Sequence, residues 1–236
     1  VDFIEMKRVL IITYYWPPSG GSGVQRWLKM SKYFPENGWQ PVIYTAEDAE
    51  YPVEDLSLEK DVTPEAEILR RKIVEPYSFY KKFLGIKKDE KIKAGFINEG
   101  KKKSSWKENL SVWLRGNLFI PDARCWWIKP SINFLKKYLE KNPVDAIIST
   151  GPPHSMHLIA KELHKKFNIP WIADFRDPWT DIDFFSELKL TKRSLKKHHN
   201  SRLRKDPRPV RRLQRPTENP PHTDVLQIHI RDLRMQ

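Results

Sequence analysis

RVLIITYYWPPSGGSGVQRW, residues 8–27, reads as a strand, a glycine loop and the start of a helix. Val9 to Ile12 is a short all-apolar run rich in β-branched side chains, the pattern of a strand buried on both faces of a parallel sheet. Pro17 and Pro18 end it, because neither has a backbone donor to extend a ladder. Ser19 to Gly23 follows as a glycine-rich turn. Beyond it Val24, Trp27, Leu28, Ser31 and Phe34 recur at helical spacing and predict one apolar face.

A strand, a glycine loop and a helix in this order offer bare N–H groups to an anion. A helix start has unpaired donors and a partial positive charge. Gly20, Gly21 and Gly23 allow the backbone to approach a ligand that a Cβ would hold off. Ser22 lies among them, and Arg26 in the first turn adds a full charge with forked donors. The expected ligand is a phosphate or a diphosphate. The loop is not a Walker loop, since no Gly-Lys-Ser/Thr follows. Nor is it a full dinucleotide fingerprint: Gly21 and Gly23 supply two glycines, and Arg26 stands where the third belongs. A tight strand-to-helix turn without a ligand is the competing reading.

Working outward, Pro35 to Gly38 is a turn and Trp39 to Thr45 a second strand, completing a strand–helix–strand unit. Asp48 to Pro64 is acidic and irregular. A third strand is expected over Ala66–Val74 and a short helix over Tyr77–Leu84. Lys87 to Ser105 is lysine-rich with few apolar residues and reads as a mobile loop. Helical patterns resume at Trp106–Leu118 and again from Ile128 to Leu139. Trp126 and Trp127 between them are large apolar residues that fit a core or a membrane-facing wedge. Val144–Thr150 is a fourth strand, Gly151–Ser155 a second strand-end loop, and Met156–Phe167 a helix. Ile169–Phe175 is a fifth strand with Arg176–Trp179 as its exit loop, and Glu187–Lys197 is helical.

This order predicts an α/β fold: a Rossmann-like, doubly wound parallel sheet with helices on both faces, a lysine-rich insertion near 85–105 and an irregular C-terminal tail. Ligands of such sheets bind at the carboxyl ends of strands, where the three exit loops lie.

The chain has 236 residues and a single cysteine, Cys125, so it forms no internal disulfide and suits a reducing compartment. Its start lacks the pattern of a signal peptide, and no apolar run is long enough to cross a bilayer. The net charge of +13 is concentrated. Residues 81–107 hold ten Lys against three acidic residues, and residues 200–236 hold nine cations against four. Two basic segments on a nearly neutral body fit solvated loops or a peripheral contact with an anionic membrane. From residue 199 the composition changes: after Asn200 there are eight Arg, one Lys and five Pro, and the apolar periodicity stops. The expectation is a disordered or non-native tail over 199–236.

YYWPPSGGSGVQRW, STGPPHSMHLIAKEL and WIADFRDPWTD together resemble the amino-terminal domain of family-four glycosyltransferases of GT-B fold, most closely bacterial members of cell-surface polysaccharide synthesis. The resemblance covers about residues 7–198 and places the Rossmann-like domain at 6–198. It implies a nucleotide-sugar donor, a glycan or lipid-linked acceptor, and transfer with retention. It implies no obligatory metal and no other cofactor. Nucleic acid is not an expected partner. The expected location is cytoplasmic, extending to the inner face of the membrane.

The resemblance implies that Gly20, Gly21, Ser22 and Gly23 approach the donor phosphates and the acceptor, with Arg26 extending that site. It puts His154 at the cleft mouth and Asp174, Arg176 and Asp177 opposite the reacting sugar; His154, Arg176 and Asp177 are the catalytic candidates. The donor-binding second domain of that family is absent from the sequence, so a truncated, inactive acceptor-side half is expected. Glu59 and Glu67 have the spacing of the family's donor-binding glutamates, but in the wrong region, and receive no role.

Each candidate has a competing role. His154 is a helix start beside Ser155, the better N-cap. Asp174 and Asp177 flank Arg176 as internal ion-pair partners. His154 and His157 lack a third ligand at zinc-like spacing. Asp181 and Asp183 resemble a metal-binding Asp-x-Asp but fit a solvated helix start. Two other functions remain open: a nucleotide-dependent oxidoreductase domain, and a basic nucleic-acid-binding module.

Overall fold

The computed structural model describes residues 6–73, 106–177, 188–201 and 225–229. Six strands form one sheet: β1 (Lys7–Ile12), β2 (Trp39–Glu47), β3 (Glu67–Lys72), β4 (Ala146–Gly151), β5 (Trp171–Phe175) and β6 (Val225–His229). Their spatial order is β3-β2-β1-β4-β5-β6, and every neighbouring pair is parallel. The order reverses direction between β1 and β4, which creates a switch point at their carboxyl ends.

The sheet is buried on both sides because apolar residues alternate between two cores. Leu10, Ile12, Val42, Tyr44 and Ile147 face one cluster; Val9, Ile11, Ile43 and Ile148 face the other. Helix α1 (Ser22–Ser31) covers the second cluster with Val24, Trp27 and Leu28. On the opposite face lie α3 (Cys125–Leu139) and α4 (Ser155–Phe167), which contribute Trp127, Leu135, Met156, Ile159 and Leu163. Full burial of side chains this size stabilises by about 1.5–3 kcal/mol each. Helix α2 (Trp106–Leu118) and helix α5 (Lys192–Ser201) pack on each other.

The doubly wound parallel sheet with helices on both faces is therefore present. Several boundaries differ from the sequence expectation. β2 runs two residues further, to Glu47, and short 3-10 helices at Pro35–Asn37 and Leu56–Asp61 punctuate the segments read as turn and irregular chain. α3 begins at Cys125, not Ile128, so it takes in both tryptophans. Its phase sends Trp127 into the core at 1% exposure and leaves Trp126 at 49%. α5 lies a turn later than expected. The tail expected to be irregular contributes β6, parallel to β5, so that expectation is corrected for Val225–His229. Tyr77–Leu84, the lysine-rich insertion, Pro178–Glu187 (including Asp181 and Asp183), and the remainder of the tail lie outside the described residues.

Candidate functional site at the strand ends

The first loop is pinned from behind and open in front. Gly20 N donates to Val53 O at 2.9 Å and Asp55 N donates to Pro18 O at 2.8 Å. Gly21 and Ser22 are exposed. Gly21 is the N-cap of α1 with φ 82°, a left-handed conformation that glycine adopts without strain. No side chain caps this helix and no acidic residue sits in its first turn. The first-turn amides therefore keep their donor capacity and the positive end of the dipole faces out.

The second loop looks similar in sequence but is closed. Ser155 N and Ser155 Oγ both donate to the Asp122 carboxylate, each at 2.8 Å. Asp122 also accepts from Arg124 N at 2.8 Å. Ser155 is not the cap; the N-cap residue is His154, and the capping oxygen comes from Asp122. The anion position of α4 is thus taken by a carboxylate of the protein itself.

Asp174 at the end of β5 joins the two loops. Its Oδ1 accepts from Arg26 Nη1 at 2.7 Å. Its Oδ2 accepts from Trp27 Nε1 at 2.8 Å and Thr150 Oγ1 at 3.0 Å. With 5% exposure and both oxygens engaged, Asp174 acts inward. The resemblance placed it opposite the reacting sugar; here both of its oxygens are turned to Arg26, Trp27 and Thr150. Arg26 keeps 32% side-chain exposure and has no second side-chain partner among the described residues.

Arg176 lies against the other flank of the first loop. A Cβ on Gly23 would meet Arg176 Nη1 at 3.0 Å and Tyr15 Cδ2 at 3.0 Å, so the guanidinium is packed against the first turn of α1. Arg176 Nη2 donates to Pro152 O at 2.6 Å, and the guanidinium carbon sits 5.6 Å from the Tyr15 ring centre. Arg176 Nε is buried and has no hydrogen-bond partner among the described residues. Burial pulls the Arg176 pKa below the ordinary arginine value, against the opposing pull of Tyr15, Asp177 and Asp174. A desolvated guanidinium of this kind gains much from an anion that approaches it. Asp177 is exposed beside it.

His154 is not at an open mouth. It is 7% exposed, and its ring lies 5.7 Å from His157 and 6.1 Å from Phe175. Burial lowers its pKa to about 4, with Arg176 adding to that and Asp122 and Asp177 opposing it. His157 is buried completely, its Nδ1 2.8 Å from Ser149 Oγ, and its pKa is also depressed by burial. Both rings are therefore neutral at pH 7. Among the described residues no cluster of His, Cys, Asp and Glu is able to hold a metal ion.

The structure thus brings Gly20, Gly21, Ser22, Gly23, Arg26 and Arg176 to one strand-end position, with Asp177 at its rim. Tyr15, Thr150, Trp27 and Asp122 also build the site but were not singled out from the sequence. Trp27 carried only the signal of a core position, and Asp122 carried none.

No family model and no curated protein sequence matches this chain. Solved structures similar to it include the sucrose-phosphate synthase of Thermosynechococcus elongatus, with a TM-score of 0.39 and 12% identity over 72% of this chain and 33% of that one. UGT71G1 of Medicago truncatula, complexed with UDP-glucose, gives 0.39 at 10% identity over 74% and 30%. The C-terminal domain of a Pyrococcus furiosus hydrogenase gives 0.35 at 15% identity over 71% and 90%. The chain spans about a third of the length of the two glycosyltransferases.

Proposed function

We propose that this chain is the acceptor-side, Rossmann-like half of a glycosyltransferase that takes a sugar from a nucleotide-sugar donor. The observation that carries the reading is the uncapped start of α1, exposed at Gly21 and Ser22 and flanked by Arg26 and Arg176. Of the two helices that begin at the switch-point strand ends, α4 is closed by Asp122 and α1 is open. A diphosphate suits that position, since it accepts from backbone amides and from two guanidinium groups at once. The three sequence motifs discussed above support the family, and with it a cell-surface glycan or lipid-linked acceptor.

In such a transfer the α1 amides, Arg26 and Arg176 would stabilise charge on the departing diphosphate. The cleft would align an acceptor hydroxyl with the anomeric carbon. His154 and His157, neutral and buried, are suited to hydrogen bonding rather than to charge stabilisation. A retaining front-face route requires no protein base. The proposed location is the cytoplasm, with contact at the membrane's inner face; among the described residues no helix is long and apolar enough to cross a bilayer.

The test is calorimetric titration of the full chain with UDP, UMP and pyrophosphate at one ionic strength. UDP and pyrophosphate are expected to bind, UMP at least about tenfold more weakly. Arg176→Met is expected to lower UDP affinity about tenfold or more, the scale of one charged hydrogen bond. Equal affinity for UDP and UMP, or an unchanged affinity in Arg176→Met, refutes the reading.

One observation favours a second reading. β2 ends on Glu47, so an acidic residue does stand at the end of the second strand, where a dinucleotide-binding domain holds ribose. Titration with NAD separates the two: binding tighter than UDP that is lost in Glu47→Gln favours an oxidoreductase domain.

A further inference from the structure

Arg176 is held beside the start of α1 by the second strand-end loop. Its backbone N donates to Gly151 O at 2.9 Å, and its Nη2 donates to Pro152 O at 2.6 Å. The guanidinium is therefore only as well placed as residues 151–155 are. One end of that loop is fixed by the sheet. Gly151 closes β4, and a Cβ there would meet His157 Nε2 at 2.6 Å and His154 Nδ1 at 3.0 Å. The other end is Ser155, fully buried, whose N and Oγ both donate to Asp122 at 2.8 Å. Asp122 belongs to neither strand end. It lies between α2 and α3, 33 positions before Ser155.

The turn that carries Asp122 is anchored in its own right. Arg124 N donates to Asp122 Oδ1 at 2.8 Å, which closes an Asx-type turn. Arg124 Nη2 donates to Tyr14 OH at 2.9 Å, and the guanidinium carbon lies 4.4 Å from the centre of that ring. Tyr14 is fully buried just beyond β1 and meets Tyr15 edge-on, ring centres 5.0 Å apart. Tyr15 lies in turn against Gly23 and 5.6 Å from the Arg176 guanidinium. The contacts close a ring that leaves Arg176 by Pro152 and returns to it by Tyr15. Asp122 is the charged joint between the two arms.

Capping α4 requires only one oxygen on a first-turn amide. Asp122 does more, since it holds both the backbone and the side chain of Ser155. A binding group displaced by a fraction of an ångström loses much of its effect, so the residues that fix its support matter. The geometry points to Asp122 as a positioning residue for the anion site at α1: by holding Ser155 it sets the loop that places the Arg176 guanidinium. This rests on the reading of that position as a diphosphate site. Asp122 acts there only through Arg176.

The test is calorimetric titration of the full chain with UDP. The variants are Asp122→Ala, Asp122→Asn, Ser155→Ala and Arg176→Met, and the first and third are also combined with Arg176→Met. The loss from Arg176→Met, about tenfold, is the ceiling. Asp122→Ala is expected to weaken UDP about three- to tenfold. Asp122→Asn keeps an oxygen for Ser155 N and is expected to stay within about threefold of wild type. In the Arg176→Met background the further change from Asp122→Ala is expected to be less than about twofold. Ser155→Ala removes one of the two bonds to Asp122 and leaves the cap. Its expected loss is about threefold, again absent without Arg176, and it decides the matter if circular dichroism shows Asp122→Ala unfolded. Tyr138→Phe controls for lost stability. Its hydroxyl accepts from Arg8 and donates to Glu67 at the starts of β1 and β3, the opposite end of the sheet, so UDP affinity is expected to match wild type.

With Arg176→Met weakened as expected, wild-type affinity in Asp122→Ala overturns the proposal and leaves the diphosphate reading standing. An equal loss from Asp122→Ala with and without Arg176 does the same, as does a Tyr138→Phe loss as large as that of Asp122→Ala. An unchanged affinity in Arg176→Met overturns both.

Discussion

Replacing Asp174 tests the geometry that holds the two loops together. The carboxylate is 5% exposed and accepts from Arg26, Trp27 and Thr150 at 2.7, 2.8 and 3.0 Å. Asp174→Ala strands the buried indole N–H, which costs about 1–3 kcal/mol. It also leaves Arg26 without its counter-charge. A fully buried cation stripped of its partner costs about 3–5 kcal/mol. Arg26, at 32% exposure, recovers part of that by turning to water, so about 2 kcal/mol is the fitting share. Thr150 adds little because its hydroxyl rotates. The sum is about 3–5 kcal/mol, or roughly 6–20 °C in Tm for a chain of this size. Asp174→Asn keeps the shape and one acceptor, so about 2–3 kcal/mol is expected. The assay is urea unfolding of wild type, Asp174→Asn, Arg26→Met and the double variant, combined as a double-mutant cycle. The expected coupling is about 1–2 kcal/mol. Coupling below about 0.5 kcal/mol, or an Asp174→Ala protein whose midpoint matches wild type, would show that Asp174 does not hold Arg26 in place.

Three further outcomes follow from the same neighbourhood. His154 has a folded-state pKa of about 4, below its ordinary value, so the unfolded chain binds its proton first. Its contribution is complete above roughly pH 6.5 and is lost as the pH falls toward about 4; His154→Gln flattens that part of the stability-versus-pH curve by on the order of 2–3 kcal/mol, read by unfolding at stepped pH. Gly151→Ala puts a Cβ 2.6 Å from His157 Nε2 and 3.0 Å from His154 Nδ1, in a core with no room to yield; a loss of about 2–3 kcal/mol is expected in urea unfolding. Asp122→Ala removes the carboxylate that serves Ser155 N and Ser155 Oγ, which lowers stability by about 1–2 kcal/mol in the same assay. It also opens the start of α4, so added sulfate should restore stability to this variant more than to wild type.

The sheet was legible because its signal is local. Val9 to Ile12 and Val42 to Tyr44 are apolar at consecutive positions, which only a strand covered on both faces tolerates, and the structure splits them between two cores residue by residue. What escaped the reading depended on phase or on distance. Trp126 and Trp127 are indistinguishable by composition; a helix start at Cys125 decides which is core. The Arg26–Asp174 contact spans 148 positions and the Ser155–Asp122 contact 33, and no periodicity reports pairs so far apart. The sequence therefore marked both strand-end loops but could not tell the open one from the one closed by a carboxylate.

The glycines of the first loop divide their work, and this changes what the motif means. Gly21 is there for its backbone, held at φ 82° where a side chain is strained. Gly23 is there for space, since its missing Cβ is where the Arg176 guanidinium and the Tyr15 ring meet α1. Gly20 has 3.1 Å to both Val53 and Asp55, so it lets the loop press onto the segment behind it. Only one of the three answers to turn geometry. The other two fit the loop between a wall and a half-buried cation, and desolvating a cation is costly unless something offsets its lost hydration. Asp174 gives that compensation to Arg26 by direct contact, whereas Arg176 directly contacts a carbonyl and an aromatic face among the described residues, with Asp177 and Asp174 acting on it through their charge. An anion at the start of α1 would supply the rest, and the packing around Gly23 holds the guanidinium where that anion would sit.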